Sequence, residues 1–182
     1  MTSTLTVPRL AAGPYVLRAF VPGDLGLVRE AAADPYIPLV TTVPCPFTRE
    51  AGLAFIARQH ARVRDGEGYP MVIVDRVGDR AVGSIGVWLR DVSAGRVSVG
   101  YWVVPSARGR GAASHALIAA AAWALTDLPI VRVELFVEPD NAASIRTAER
   151  AGFVREGLLR RWQVIGETWR DMVVFSRLSD DG

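Results

Sequence analysis

The segment Arg108–Ala113, RGRGAA, has the residue types needed to hold a phosphate group. Its glycines leave backbone N–H groups accessible, and the alanine-rich run Ser114–Leu125 that follows has high helix propensity. The first N–H groups of a helix have no partner within it, and the helix dipole favours an anion there. The stretch therefore predicts a phosphate or pyrophosphate site. The alternative is an ordinary strand–helix turn with solvated arginines.

Other phosphate-binding turns fit this segment less well. A Walker A loop needs Gly-Lys-Ser/Thr, which is absent. A dinucleotide fingerprint, G-x-G-x-x-G, is matched by Gly109 and Gly111, but Ser114 stands at the third glycine. Glu134 lies at the ribose-binding spacing, yet in the middle of a strand rather than at its end. The antiparallel strands expected upstream also argue against a first βαβ unit, so a nucleotide-binding oxidoreductase is a minor alternative.

The elements around the turn predict a mixed α/β domain. Short breaks between the three strands before the turn indicate an antiparallel run. The proline-rich segment Tyr36–Phe47 is expected to be irregular and to form a wall on the substrate side. Helices are expected at Leu25–Ala33, from Thr48 to Asp65, at Ser114–Leu125 and at Ala142–Arg150. Strands are expected at Tyr15–Ala19, Tyr69–Asp75, Ala81–Leu89, Arg96–Val104, Val131–Val137, from Phe153 and at Trp169–Leu178.

Composition limits the classes of function. The chain has 182 residues, of which 50% are hydrophobic, and we expect one domain over residues 1–182 with residues 1–12 loose. A net charge of +2 gives no reason to expect nucleic-acid binding. No long apolar segment or secretory leader is visible, so a cytoplasmic protein outside the membrane is expected. No group of His, Cys, Asp and Glu has metal-ligand spacing, so no metal is expected.

Three motifs in register resemble the GNAT superfamily of N-acetyltransferases. Arg108, Gly111 and Ala113 fit the acetyl-CoA motif R/Q-x-x-G-x-G/A. VEPDNAASIRTAERAGFVREG, at 137–157, is similar to the second family block, in which N-x-x-S leads a short helix to Gly-Phe. GYWVVP before the turn and GETWRDMVVFSRL near the end are similar to the RimJ/RimL branch, which acetylates protein N-termini and related amines. The resemblance is close over the last half of the chain and covers only the order of elements in the first half.

The resemblance implies a central mixed, mostly antiparallel sheet that is splayed between two central strands and flanked by helices. The pantetheine of acetyl-CoA would lie in that splay and pair with backbone groups of the strand before the turn, while the turn holds the pyrophosphate. Asn141 matches the asparagine that contacts the cofactor, with a plain helix cap as the alternative. The other implied cofactor residues are Trp102, Val103, Val104, Arg108, Gly109, Arg110, Gly111, Ala112 and Ala113.

Two residues are candidates for moving protons. Ser144 matches the family serine near the sulfur and would donate a proton, with a solvated helix serine as the alternative. Glu134 would accept the amine proton through water, with a salt bridge to Arg132 as the alternative. Glu138 is a second candidate base, nearer the end of the strand.

The implied activity is acetyl transfer from acetyl-CoA to a primary amine by direct attack in a ternary complex. The acceptor is a protein N-terminus or a small-molecule amine, and its identity stays open. The resemblance also allows a homodimer, which is common in that branch. The alternative from another class is a catalytically silent acyl-CoA-binding regulatory module.

Overall fold

The computed structural model describes residues 5–181. Its helices are α1 (Leu25–Ala32), α2 (Ile37–Val40), α3 (Arg49–Arg64), α4 (Ala112–Asp127) and α5 (Ala142–Arg150). Its strands are β1 (Leu10–Ala12), β2 (Tyr15–Arg18), β3 (Gly68–Asp75), β4 (Arg80–Trp88), β5 (Arg96–Val103), β6 (Arg132–Val137), β7 (Val154–Ile165) and β8 (Thr168–Leu178). Three short 3₁₀ turns cover Pro22–Asp24, Val92–Ala94 and Pro105–Ala107.

The strands form one sheet in the order β1-β2-β3-β4-β5-β6-β8-β7. Neighbouring strands are antiparallel except β5 and β6, which are parallel. The parallel pairing runs only from Arg96–Arg132 to Val99–Leu135, although both strands continue beyond it. The sheet therefore opens between its two central strands, and the predicted fold class is confirmed.

Helix α4 packs closely on the sheet because its buried residues, apart from Leu117, are alanines. Ala112, Ala116, Ala120 and Ala124 recur every four residues and are all buried, so they form one stripe along the helix. This stripe lets α4 contact β1, β2, β4 and β5. The first residue of α4 follows the turn that leaves β5, so the N-terminus of the helix lies beside the opening in the sheet.

The N-terminal segment is more ordered than the sequence predicts. The sequence predicts that Leu10–Ala12 is loose, but this segment forms β1 and pairs with β2 around a tight turn. Gly13 has φ +59°, and the ring of His115 lies 2.6 Å from where a Cβ would stand. The turn between β1 and β2 therefore packs against His115 of α4, a long-range contact that the sequence pattern does not reveal. Residues 1–4 lie outside the described part of the chain.

The proline-rich segment is partly helical. Ile37–Val40 forms α2, whereas the sequence predicts irregular structure throughout Tyr36–Phe47. Pro38 is compatible with the helix because it stands in the first turn, where its missing N–H costs nothing. The remaining residues, 41–47, are irregular as expected. Within residues 5–181, no helix combines the length and the apolar character needed to cross a bilayer.

Candidate active site

The opening between β5 and β6 exposes backbone groups of β5. The N–H of Val104 donates to the Val82 carbonyl at 3.0 Å, and Trp102 is paired with Ser84 on β4. Because backbone groups alternate in direction along a strand, those of Trp102 and Val104 point towards β4. Those of Tyr101 and Val103 point towards the opening. Of the three strand residues expected to pair with pantetheine, Val103 alone has backbone groups that face the opening.

The turn after β5 has the bare N-terminus that the sequence predicts. Gly111 is the N-cap residue of α4 and has φ +80°, and no side chain of the described residues caps the helix. Gly109 also has a positive φ, +78°. Residues other than glycine adopt this conformation only with strain, which explains both glycines. The first N–H groups of α4, including those of Ala112 and Ala113, therefore have no side-chain cap, which is the arrangement that suits an anion at a helix N-terminus.

Arg108 holds the turn through its side chain, and Arg110 holds it through its backbone carbonyl. The guanidinium of Arg108 donates to Asp34 at 2.6 Å and to the Val103 carbonyl at 3.0 Å. The Arg110 carbonyl accepts a hydrogen bond from the Tyr15 hydroxyl at 2.9 Å. The charge of Arg108 is thus paired with a buried carboxylate. Its side chain thus anchors the turn, although 51% of it remains exposed.

Asn141 and Ser144 lie together at the start of α5. The Asn141 side-chain oxygen accepts the N–H of Ser144 at 3.0 Å. Asn141 therefore caps α5 through this oxygen, which is the alternative role expected for it. Its Nδ2 has no hydrogen bond to another residue between 5 and 181 and remains a potential donor. The Tyr101 hydroxyl lies 3.5 Å from the Ser144 carbonyl. This contact joins β5 to the first turn of α5 and places Ser144 beside the opening.

A cleft of about 310 Å³ lies at the end of β6, lined by Tyr36, Glu138, Asp140 and Asn141. The Tyr36 hydroxyl donates a hydrogen bond to Glu138. Arg170 on β8 approaches the same carboxylate at 3.7 Å, and the Glu138 side chain is only 17% exposed. Burial and the Glu138 carboxylate raise the pKa of Tyr36, so its hydroxyl stays protonated. The cleft thus presents a carboxylate next to Asn141.

Asp34 connects the turn to this cleft. Its carboxylate accepts the N–H groups of Tyr36 and Ile37, at 2.8 and 2.9 Å, and also binds Arg108. Burial alone would raise the pKa of Asp34, but these backbone donors and the Arg108 guanidinium outweigh burial and lower it. Asp34 is therefore an ionised anchor between the phosphate-type turn and Tyr36.

Glu134 occupies a different part of the sheet from Glu138. It pairs with Ser98 in the section where β5 and β6 are still hydrogen-bonded. Its carboxylate accepts from Nε of Arg132 at 2.7 Å. Glu134 thus forms the salt bridge to Arg132 that was the alternative to a role as base. Glu138 is the carboxylate that lies beyond the last paired residues.

The ion pairs around Arg132 predict a loss of stability in acid. Arg132 donates to Glu156 at 2.8 Å, and the buried Ser176 hydroxyl donates to it at 2.7 Å. The Arg132 guanidinium first, and Ser176 second, lower the pKa of Glu156 from 4.5 to about 2. A lowered folded-state pKa stabilises the fold above pH 4.5, and the gain is lost as pH falls towards 2.

We therefore expect Glu156→Gln to lower the free energy of unfolding at pH 7 by about 1 kcal/mol, a value that allows for solvent screening. The difference between wild type and variant should shrink steadily below pH 4.5, because the Glu156 carboxyl of the unfolded chain then takes up a proton while that of the folded protein stays ionised until the pH nears 2. Denaturant titrations at pH 7, 4 and 3 would measure it. A difference that stays constant across this range would contradict the ion-pair explanation.

The sequence does not predict that several residues of the site lie there. Strand alternation shows that Tyr101 and Trp102 face opposite neighbours, but only the pairing of β4 with β5 shows that Tyr101 faces the opening. Asp34 reaches Arg108 across 74 positions and Tyr36 reaches Glu138 across 102, and no local pattern signals either contact. Arg170 also reaches Glu138 from another strand. The sequence does predict that Asn141, Ser144 and the turn lie together with the opening.

Comparison with known proteins agrees with this geometry. The family described as "Acetyltransferase (GNAT) domain" matches residues 15–154. An uncharacterized N-acetyltransferase, p20 of Bacillus licheniformis, is 31% identical over 114 residues, which span 63% of this chain and 64% of that relative. The match thus covers less than two thirds of the length of p20. A probable N-acetyltransferase of Bacillus subtilis, YjcK, is 28% identical over 136 residues, 74% of this chain and 75% of the relative.

Solved structures share the fold. Mycobacterium smegmatis RimJ, determined in complex with CoA-disulfide, superposes with a TM-score of 0.78 at 24% identity, covering 98% of this chain and 89% of RimJ. At this identity the likeness concerns the fold alone. The family match spans most of the chain and includes the opening, the turn and the start of α5, and so this chain belongs to the GNAT acetyltransferase family.

Proposed function

We propose that this chain is an acetyl-CoA-dependent N-acetyltransferase, similar to the RimJ/RimL branch, that acts on a primary amine. The amine belongs to a protein N-terminus or a small molecule and attacks directly in a ternary complex. The observation that carries the proposal is the opening between β5 and β6. One end of it meets the uncapped N-terminus of α4, and Ser144 and Glu138 lie beside it.

The residues present fit acetyl-CoA. The N–H groups at the start of α4 suit its diphosphate, with the turn from Arg108 to Gly111 held in place by Asp34 and Tyr15. Backbone groups of Tyr101 and Val103 that face the opening suit its pantetheine, as in the addition of a strand. When bound, acetyl-CoA supplies an acyl group activated as a thioester.

Two residues of the chain then accept and donate the protons of the reaction. Glu138 accepts a proton from the acceptor ammonium, directly or through one water, and so frees the nitrogen lone pair. The nitrogen–carbon bond forms as the carbon–sulfur bond breaks. The Ser144 hydroxyl donates a proton to the departing sulfur and is reprotonated through solvent, which takes up the second proton that the nitrogen loses as it becomes the amide. The products are the N-acetyl amide, CoA thiol and one released proton.

The direct test measures acetyl-CoA binding by calorimetry and CoA release over a panel of amines and N-terminal peptides. Micromolar binding together with amine-dependent CoA release is the expected result. Binding without turnover for every amine would favour the silent acyl-CoA-binding module. Binding of NAD(P) without binding of CoA would favour the oxidoreductase.

Ser144→Ala is expected to lower kcat by about a hundredfold while the affinity for acetyl-CoA changes little, because the hydroxyl serves the leaving sulfur and not the resting complex. Stopped-assay kinetics and calorimetry would measure the two quantities. Thr126→Ala, which removes a hydroxyl from the exposed end of α4, is the matched control. Equal losses of kcat and affinity would argue against a proton-donor role.

A further inference from the structure

Trp162 is a large aromatic residue that the proposed chemistry does not use. Its ring lies nearly parallel to that of Phe136, with centroids 5.6 Å apart and planes at 23°. The side chain is nevertheless 53% exposed. A tryptophan that serves packing alone usually buries most of its surface. Phe136 is partly buried, so the exposed tryptophan stacked on it needs another explanation.

The backbone of β7 is distorted at the point that carries Trp162. Its pairing with β8 shifts register first between Arg155 and Gly157 and again between Leu159 and Gln163. Between them Arg161 has φ +49°, which is unfavourable for a residue with a Cβ, and its N–H donates to Asp171 at 2.7 Å. Bulges of this kind redirect a side chain and often lie next to active sites. Here the bulge directs Trp162 across β8 onto Phe136 of β6.

The stack lies on the same face of the β6 segment as Glu138. Glu134 and Phe136 alternate with the buried residues of β6, so they share one face of the strand. Glu138 continues this alternation just after the strand ends, and two residues of extended chain span about 7 Å. Arg170, from β8, approaches Glu138 at 3.7 Å. The Glu138 carboxylate and the Phe136 ring, on which the indole stacks, thus lie on one surface.

We propose that Trp162 and Phe136 form a specificity subsite for a planar apolar group on the acceptor, about 7 Å from its primary amine. The inference rests on the proposed acetyltransferase function. Glu138 and Asp140 supply the negative charge that complements an ammonium group, and the stack supplies the apolar surface. The acceptor class is therefore an arylalkylamine, or a peptide whose first or second side chain is aromatic.

The test compares 4-phenylbutylamine with n-butylamine, which carries the same amine without the ring. Wild type should have the higher kcat/KM for the aromatic amine. Trp162→Ala should lower that value about five- to tenfold through KM, because an aromatic contact of this size is lost. The value for n-butylamine should not change, and Trp162→Phe should restore most of the preference. Trp169→Ala, which removes another exposed tryptophan from the same hairpin, should have no effect.

A direct measurement of amine binding tests the aromatic subsite independently of the proposed acetyltransferase activity. Calorimetry with 4-phenylbutylamine, in the presence of CoA, requires no turnover. A Trp162-dependent preference for the aromatic amine without any acetylation would support the subsite and reject the enzyme. Equal binding of the two amines by wild type, or an equal loss for both in Trp162→Ala, would overturn the subsite and leave the acetyltransferase standing.

Discussion

Replacing Gly111 by glutamate is expected to weaken acetyl-CoA binding by at least about a hundredfold, since it places a carboxylate where the diphosphate is proposed to bind. The position has φ +80° and caps α4, so the substitution also strains the backbone. Calorimetry with acetyl-CoA would measure the loss. Circular dichroism would establish that the variant remains folded.

Gly66→Glu separates the effect of a carboxylate at the start of α4 from the effect of backbone strain. Gly66 follows α3 and has a similar φ of +74°, and no atom of the described residues lies within 4 Å of its Cβ position. The control therefore carries the same new charge and a comparable backbone strain, but not at the N-terminus of α4. It should bind acetyl-CoA as wild type does. Equal affinity of Gly111→Glu and wild type would reject the diphosphate site.

The parts of the site that the sequence predicts are those set by short-range rules. A turn with two glycines before an alanine-rich run specifies an uncapped helix start within a few residues. Asn141 caps α5 through the N–H of Ser144, three positions later, which is also a local interaction. The short breaks between β3, β4 and β5 indicate their antiparallel order. Each of these features can be read from a window of about ten residues.

The parts that the sequence misses depend on contacts between distant segments. Arg108 looks like a solvated arginine until Asp34 is placed beside it, 74 positions away in the chain. Tyr36 reaches Glu138 across 102 positions. Whether Trp102 or Tyr101 faces the opening depends on the register between β4 and β5, and a shift by one residue reverses the answer. Residue type alone cannot supply that information.

The choice between two carboxylates illustrates the same limit. Glu134 and Glu138 lie on one face of the same segment, and both have the chemistry of a base. The register of β6 against β5 separates them, because the parallel pairing ends at Leu135. Glu134 lies within the closed part of the sheet and is bound to Arg132. Glu138 lies where the opening begins and lines the cleft.

Glu138→Gln is therefore expected to lower kcat/KM by about a hundred- to a thousandfold near neutral pH, as the loss of a general base does. The amide keeps the size of the side chain and can still accept from the Tyr36 hydroxyl, so the fold and acetyl-CoA affinity should hold. The deficit should shrink as pH rises, because more of the acceptor amine is then already neutral. A merely structural defect would not follow the pH in this way.

Glu134→Gln is the matched comparison, since it makes the same change on the same face of β6. It disrupts the ion pair with Arg132, so a small loss of stability and a kcat/KM within about threefold of wild type are expected. Initial rates of CoA release from pH 6 to pH 10 would compare the two variants. If Glu134→Gln showed the large, pH-dependent deficit and Glu138→Gln did not, the base would be Glu134, acting through water across the surface of Phe136.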